Sequence, residues 1–109
     1  MATRGADRSE LSVTTLAAVL RLLADETRLS ILRILAHGER NVGSLGEELK
    51  LSQPTVSHHL GLLRSQSIVS TRRSGKMVFY SLNGIVESND GEINIRTVQF
   101  DIRIAPRGD

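Results

Sequence analysis

Apolar residues recur at helical spacing in four stretches along the first two-thirds of the chain. Leucine, isoleucine and valine line one face of Leu11–Leu23, of the segment that follows Asp25, of Asn41–Leu49 and of the segment that follows Ser52. A spacing of three and four residues is typical of amphipathic helices. Asp25 and Ser52 are good N-cap residues, and Pro54 suits a first helical turn, where its missing N–H costs nothing. These patterns predict four helices.

Two strands are predicted next, Ile68–Arg73 and Lys76–Leu82, joined by Ser74-Gly75. A two-residue loop that ends in glycine suits a tight hairpin turn, because such turns require a positive φ. The third and fourth helices, with a short linker between them, form a helix-turn-helix, and the hairpin would be its wing. The predicted fold class is therefore mainly α with a small antiparallel β-hairpin, a winged helix-turn-helix.

The charge pattern supports a nucleic-acid partner. No Asp or Glu occurs between Glu48 and Glu87, although five basic residues fall inside this segment. A long segment without acids suits a surface laid against phosphates. A solvated basic face is the bland alternative, but here the charges coincide with a helix and hairpin of the right shape for DNA.

Three sequence motifs resemble the ArsR/SmtB family of bacterial winged-helix repressors. They are LADETRLSIL at Leu23–Leu32, LSQPTVSHHL at Leu51–Leu60, and the hairpin from Arg72 to Tyr80. The resemblance extends from about Leu16 to Leu82. It implies a sequence-specific transcriptional regulator that binds double-stranded DNA as a homodimer, most simply a repressor.

Small polar side chains near the start of a helix can reach base edges in the major groove. The residues expected to do so here are Gln53, Thr55, Ser57 and His58. The residues expected on the DNA backbone are Lys50, Arg64, Arg72, Arg73 and Lys76.

Length and composition exclude several classes of protein. The 109 residues allow one small domain, and the absence of Cys excludes disulfides and thiolate metal sites. No apolar segment approaches the ~20 residues that span a bilayer, and the N-terminus lacks the apolar core of a signal peptide. We therefore expect a cytoplasmic protein without a membrane partner.

We expect neither a metal cofactor nor an enzyme. The ligand positions of metal-sensing relatives fall at Asn41 and Gly43, and near Gly84 and Val86, which cannot supply those ligands. His58 and His59 are adjacent on a helix and point about 100° apart, so they cannot chelate one ion together. No nucleophile motif or glycine-rich phosphate loop is present.

The resemblance fails after Leu82. The family continues into a long helix, whereas Glu92–Ile104 is rich in β-branched residues in an alternating pattern that slips phase near Arg96-Thr97. The slip could be a β-bulge or a turn between two strands. Such an apolar strand should extend the wing sheet or pair with its twin in a dimer.

These patterns divide the chain into a disordered N-terminus at 1–9, a winged helix-turn-helix at 10–83 and a strand-like tail at 84–109. Net charge changes with this division, from +4 over residues 1–83 to −2 over 84–109. The residues expected in a dimer interface are Leu16, Val19, Leu20, Leu23, Val98, Phe100 and Ile102. In the alternative reading, the chain is a winged-helix protein-interaction module whose tail docks a partner protein.

Overall fold

The computed structural model describes residues 2–83, 86–89, 92–96 and 101–105, with side chains described for 13–83, 92–96 and 101–105. The helices are α1 (Ala2–Leu23), α2 (Glu26–Leu35), α3 (Val42–Leu49) and α4 (Gln53–Ser65). The strands are β1 (Arg40–Asn41), β2 (Val69–Ser74), β3 (Met77–Leu82), β4 (Val86–Asn89), β5 (Glu92–Arg96) and β6 (Asp101–Ile104). The predicted winged helix-turn-helix is confirmed.

The core forms where the apolar faces of the helices meet. Val56, Leu60 and Leu63 of α4 are fully buried, as are Ile31 and Leu32 of α2. Removing each such side chain from water stabilises the fold by about 1.5–3 kcal/mol. Because its apolar stripe is buried, α4 is held with its opposite face to solvent.

Side-chain caps begin three of the helices. Asp25 Oδ2 accepts a hydrogen bond from the backbone N–H of Arg28 at 3.0 Å, and Asn41 Oδ1 accepts one from Ser44 at 2.7 Å. The Arg28 N–H bond is also the main cause that lowers the pKa of Asp25. Ser52 caps α4 through a longer contact, in which its Oγ accepts from the Thr55 N–H at 3.4 Å.

The turn between α3 and α4 depends on a left-handed residue and a close backbone approach. Lys50 has φ 58°, and the Leu51 N–H donates to the Gly46 carbonyl at 3.0 Å. A Cβ on Gly46 would lie 2.8 Å from the Leu51 carbonyl oxygen, closer than a real side chain tolerates. The helix-turn-helix therefore needs glycine at this position.

The wing is displaced by one residue from its prediction. Ser74 pairs with Met77, so the two-residue loop is Gly75-Lys76 and not Ser74-Gly75. Gly75 has φ 61° and takes the first loop position, because that position requires the positive φ that glycine adopts without strain. A short strand, β1, also pairs with β3, which gives a three-stranded wing sheet in the order β1-β3-β2.

The tail forms a second three-stranded sheet in the order β4-β5-β6, separate from the wing sheet among the described residues. Arg96 pairs with Asp101, so the described residues on either side of the phase slip belong to two antiparallel strands and not to one bulged strand. Ile93 faces Ile104 and Ile95 faces Ile102, which places all four on one face. This face packs in the same hydrophobic cluster as the helices. The tail therefore does not extend the wing.

Helix α1 begins at Ala2, within the N-terminal residues 1–9 for which the sequence predicted disorder. One prediction about the dimer interface needs correction. Val19 and Leu23 were expected in a dimer interface, but they are buried in the chain's own core, because their side of α1 packs on the cluster. No helix in the described part of the chain is both long and apolar enough to cross a membrane.

Gly46 and Gly61 of the helix-turn-helix should respond to alanine in opposite ways. Gly46→Ala should lower the free energy of unfolding by about 1–3 kcal/mol, because its methyl group would strike the Leu51 carbonyl. Gly61→Ala should raise it by about 0.5–1 kcal/mol, because nothing lies within 4 Å of the new Cβ and alanine favours a helix. Urea unfolding followed by circular dichroism measures both. Equal effects of the two changes would contradict the close approach at Gly46.

Candidate nucleic-acid interface

The first turns of α4 carry the side chains that were predicted to read bases. Gln53, Thr55, Ser57 and His58 are all exposed, whereas Val56 between them is buried. The Thr55 hydroxyl lies 2.9 Å from Ser52 Oγ, so it already has a partner in the helix cap. Gln53, Ser57 and His58 therefore remain the side chains best able to reach a base.

Behind this surface, His59 faces inward and contacts the start of α2. Its Nδ1 lies 3.2 Å from Arg28 Nη1 and 4.0 Å from Asp25 Oδ2. An arginine N–H can only donate, so Nδ1 is the acceptor in its contact with Arg28. The His58 ring meets the His59 ring edge-on, with centroids 5.6 Å apart. The position of His58 is thus coupled to a side chain held by α2.

The predicted backbone contacts fall in three places around α4. Lys50 lies in the turn before α4, Arg73 and Lys76 lie at the wing tip, and all three are exposed. Arg64 is exposed in the last turn of α4, eleven residues and about 17 Å of helix from Gln53. The turn and the wing tip therefore provide basic groups on elements that flank the recognition helix.

Arg72 is the exception among the predicted backbone contacts. Its Nη2 donates to Glu39 Oε1 at 2.6 Å, and its Nε donates to Glu39 Oε2 at 3.3 Å. The guanidinium also lies over the Phe79 ring, 4.8 Å from the centroid. The hydrogen bond from Arg72 lowers the pKa of Glu39, and the same bond raises the pKa of Arg72.

A second arginine holds the loop that carries Glu39. Arg40 Nη1 donates to the carbonyls of Gly38 and Glu39, both at 3.0 Å, and its Nε donates to Glu48 on α3 at 2.9 Å. The sequence pattern did not identify Glu39, because it lies well before the segment without acids. A charge pattern read along the chain does not reveal an acid that is distant in sequence from its arginine partner but close to it in space.

The residues predicted for dimerisation differ in their exposure. Leu20 is 47% exposed and Leu16 is half-buried, so both can still meet a partner. Val13, which the sequence pattern missed, is 56% exposed and lies two turns before Leu20. Ile102 packs against the chain's own core cluster. Val98 and Phe100 lie outside the described residues.

The positions at which relatives hold metals have other roles here. Asn41 caps α3, and Gly43 follows in its first turn. Val86 begins β4, and Gly84 lies outside the described residues. Among the described side chains, no three of the His, Cys, Asp or Glu type gather as metal ligands would.

Comparisons with known proteins agree with this geometry. Residues 25–71 match the model of a protein family that is described as "bacterial regulatory protein, arsR family". The transcriptional repressor SdpR of Bacillus subtilis is 37% identical over 68 residues, which cover 62% of this chain and 76% of the relative. The transcriptional activator HlyU of Vibrio cholerae is 43% identical over 65 residues, which cover 60% of each chain.

Two solved structures are similar over most of their length. Reduced HlyU aligns with a TM-score of 0.66 and 38% identity, covering 71% of this chain and 81% of that one. The homodimeric winged helix-turn-helix DNA-binding domain of a possible ArsR-family regulator from Mycobacterium bovis aligns with a TM-score of 0.68 and 35% identity. That alignment covers 72% of both chains. Fold and similarity together define a winged helix-turn-helix transcriptional regulator. The chain belongs to the arsR family of bacterial regulatory proteins.

The exposed first turns of α4 generate a prediction about base reading. Gln53→Ala or His58→Ala should weaken binding to the operator by about 1–3 kcal/mol, because each removes a hydrogen-bonding group that we expect at base edges. Binding to random DNA should hardly change. Fluorescence anisotropy with both DNAs measures the difference.

Gln66→Ala is the matched control, because Gln66 is an exposed glutamine at the other end of the same helix. It should leave binding to both DNAs unchanged. Equal losses on operator and random DNA in the Gln53 and His58 variants would show that these side chains do not read sequence.

Proposed function

We propose that this protein is a dimeric transcriptional repressor that reads a two-fold symmetric operator. The observation that supports it best is the composition of α4, whose apolar stripe is buried while its first turns offer exposed polar groups. Gln53, Ser57 and His58 would contact base edges, with Gln53 able to pair bidentately with adenine. Lys50, Arg64, Arg73 and Lys76 would contact the DNA backbone.

Dimer formation supplies the affinity that one short recognition helix lacks. Helix-turn-helix dimers bind half-sites about one helical turn apart, so the two-fold symmetry of protein and operator agree. We assign to the interface the apolar row of α1 that consists of the exposed Val13 and Leu20 and the half-buried Leu16. Val98 and Phe100 stay candidates for dimer contacts made by the tail, whereas Ile102 packs against the core of its own chain.

Repression is the simplest outcome of such binding, because a dimer seated on a promoter excludes polymerase. SdpR carries the name of a repressor and HlyU that of an activator. The sign of regulation in this family therefore varies between members, and the position of the operator relative to the promoter would decide it. We place the protein in the cytoplasm, where its DNA partner is, and assign it no enzymatic activity.

The proposal does not use a metal at the positions known from the family. Asn41 and Gly43 lack thiolates, and the Asn41 side chain is already engaged as a helix cap. Zinc and arsenite would therefore find no family-type site in the helix that precedes α4.

The alternative function is a protein-interaction module with a winged fold. Its strongest support is the atypical tail sheet, whose outer face carries an ion pair between Arg103 and Glu92. A pure adaptor has no need of exposed basic groups flanking a polar recognition helix, so we favour DNA binding.

Selection of bound genomic fragments by the purified protein separates the two functions. We expect enrichment of one inverted repeat, with an affinity that falls steeply as salt rises, because phosphate contacts release counterions. Transcription from that promoter in vitro should fall when the protein is added. Zinc or arsenite, with and without a chelator, should leave the complex intact. Absence of any salt-dependent duplex binding would favour the adaptor.

The α1 row can be tested with a single charge. Leu20→Glu should shift the protein toward the monomer in sedimentation experiments and reduce operator affinity at least tenfold, because it places a carboxylate in an apolar interface. Thr14→Glu is the matched control, since it adds the same charge at another exposed position of α1. A Leu20→Glu protein that sediments like the wild type would remove this row from the interface.

A further inference from the structure

The contact between Glu39 and Arg72 runs across the whole wing sheet. Glu39 directly precedes β1, and Arg72 lies in β2, with β3 between the two strands. Neighbouring strands lie about 4.8 Å apart, so the Arg72 side chain must cross β3 to reach its partner. Phe79 is the residue of β3 that pairs directly with Arg72, and the guanidinium lies on its ring.

The side chain of Arg72 and that of its neighbour Arg73 lie on opposite faces of the wing sheet. Side chains of consecutive residues in a strand point to opposite faces of the sheet, so Arg72 and Arg73 lie on different faces of the wing. Arg73 pairs with Val78, one step nearer the tip than the pair of Arg72 and Phe79. If the face that carries Arg73 lies against a DNA backbone, the face that carries Arg72 therefore points away from it.

The partner of Arg72 is itself held in place. Arg40 bonds the carbonyls of Gly38 and Glu39 and also pairs with Glu48 of α3. The Glu39 carboxylate thus extends from a loop that is tied to the helix-turn-helix. It uses both oxygens to accept from Arg72, which is the arrangement by which arginine also binds phosphate. A DNA phosphate could bind the Nε–Nη2 edge of Arg72 only by displacing Glu39, and at the other N–H groups of the guanidinium it would lie close to the negative charge of the Glu39 carboxylate.

We propose that Glu39 is a positioning residue that withholds Arg72 from DNA and thereby limits the phosphate-dependent part of binding. This inference rests on the proposed DNA-binding function. Arg72 then connects the wing to the loop before β1, while Arg73 and Lys76 provide the charges of the wing that meet the backbone. Glu39 lowers affinity for every DNA sequence alike and leaves the reading of bases to α4.

The decisive measurement is the dependence of DNA affinity on salt concentration. Each phosphate contact makes the slope of log K against log salt more negative by about 0.9 for duplex DNA, so one contact in each subunit of a dimer contributes about 1.8. Arg72→Ala should leave the slope unchanged, whereas Arg73→Ala and Lys76→Ala should each make it shallower by about 1.8. Glu39→Gln should free Arg72 and steepen the slope by about 1.8 on operator and random DNA, with their affinity ratio unchanged.

A matched control comes from the tail. Glu92→Gln removes one negative charge and breaks another arginine–glutamate pair, which also measures 2.6 Å but lies in the tail sheet. It should leave the salt slope at the wild-type value. The exchange of both partners, Glu39→Arg with Arg72→Glu, restores the pair at constant net charge and should also return the wild-type slope. Circular dichroism and sedimentation confirm that each variant is folded and dimeric.

The outcomes are distinct. A reduced slope for Arg72→Ala, equal to that of Arg73→Ala, would overturn the proposal, because it would show that Arg72 leaves Glu39 and contacts phosphate. Equal slopes for Glu39→Gln and Glu92→Gln, with normal DNA binding, would overturn the role of Glu39 alone. Failure of the wild-type protein to bind any duplex would overturn the proposed function and this proposal with it.

Discussion

The burial of one apolar stripe on α4 is the interaction on which the orientation of this helix depends. Val56, Leu60 and Leu63 pack in the same cluster as α2 and α3, and this packing decides which side of α4 meets solvent. The polar side chains of its first turns are exposed for that reason alone. The close approach at Gly46 and the left-handed Lys50 then set the direction of α4 relative to α3. The exposure of the side chains that we propose to read bases is thus a consequence of core packing.

The charges around α4 are arranged by the sheet as much as by the sequence. In the chain, Arg72 and Arg73 look equivalent, and both fall in a segment without acids. The strand places them on opposite faces, and the order β1-β3-β2 brings Glu39 within reach of only one of them. A surface pair in water is screened and weak by itself. Here it is supported by the Phe79 ring and by the loop contacts of Arg40.

The tail shows how the chain can replace the terminal helix that its resemblance implied. One face of its sheet places Ile93 and Ile95 in the hydrophobic core that the helices also form, where each is only 1% exposed. Of the tail residues expected to meet a second subunit, Ile102 packs against this core, while Val98 and Phe100 lie outside the described residues. The outer face is charged and carries the Arg103–Glu92 pair. We therefore propose that dimerisation depends mainly on the row of Val13, Leu16 and Leu20 on α1.

The four helices, the wing, the family resemblance and the polar residues of α4 can all be predicted from the amino-acid sequence, because helical spacing, caps and turn glycines are local signals. The alternation of apolar residues also indicates strands in the tail. Packing of the elements was needed to show that Val19 and Leu23 face inward, that the tail forms its own sheet, and that Glu39 pairs with Arg72. These features join residues distant in sequence. Their energies come from contacts that no periodicity along the chain records, so they arise only when the strands and helices pack together.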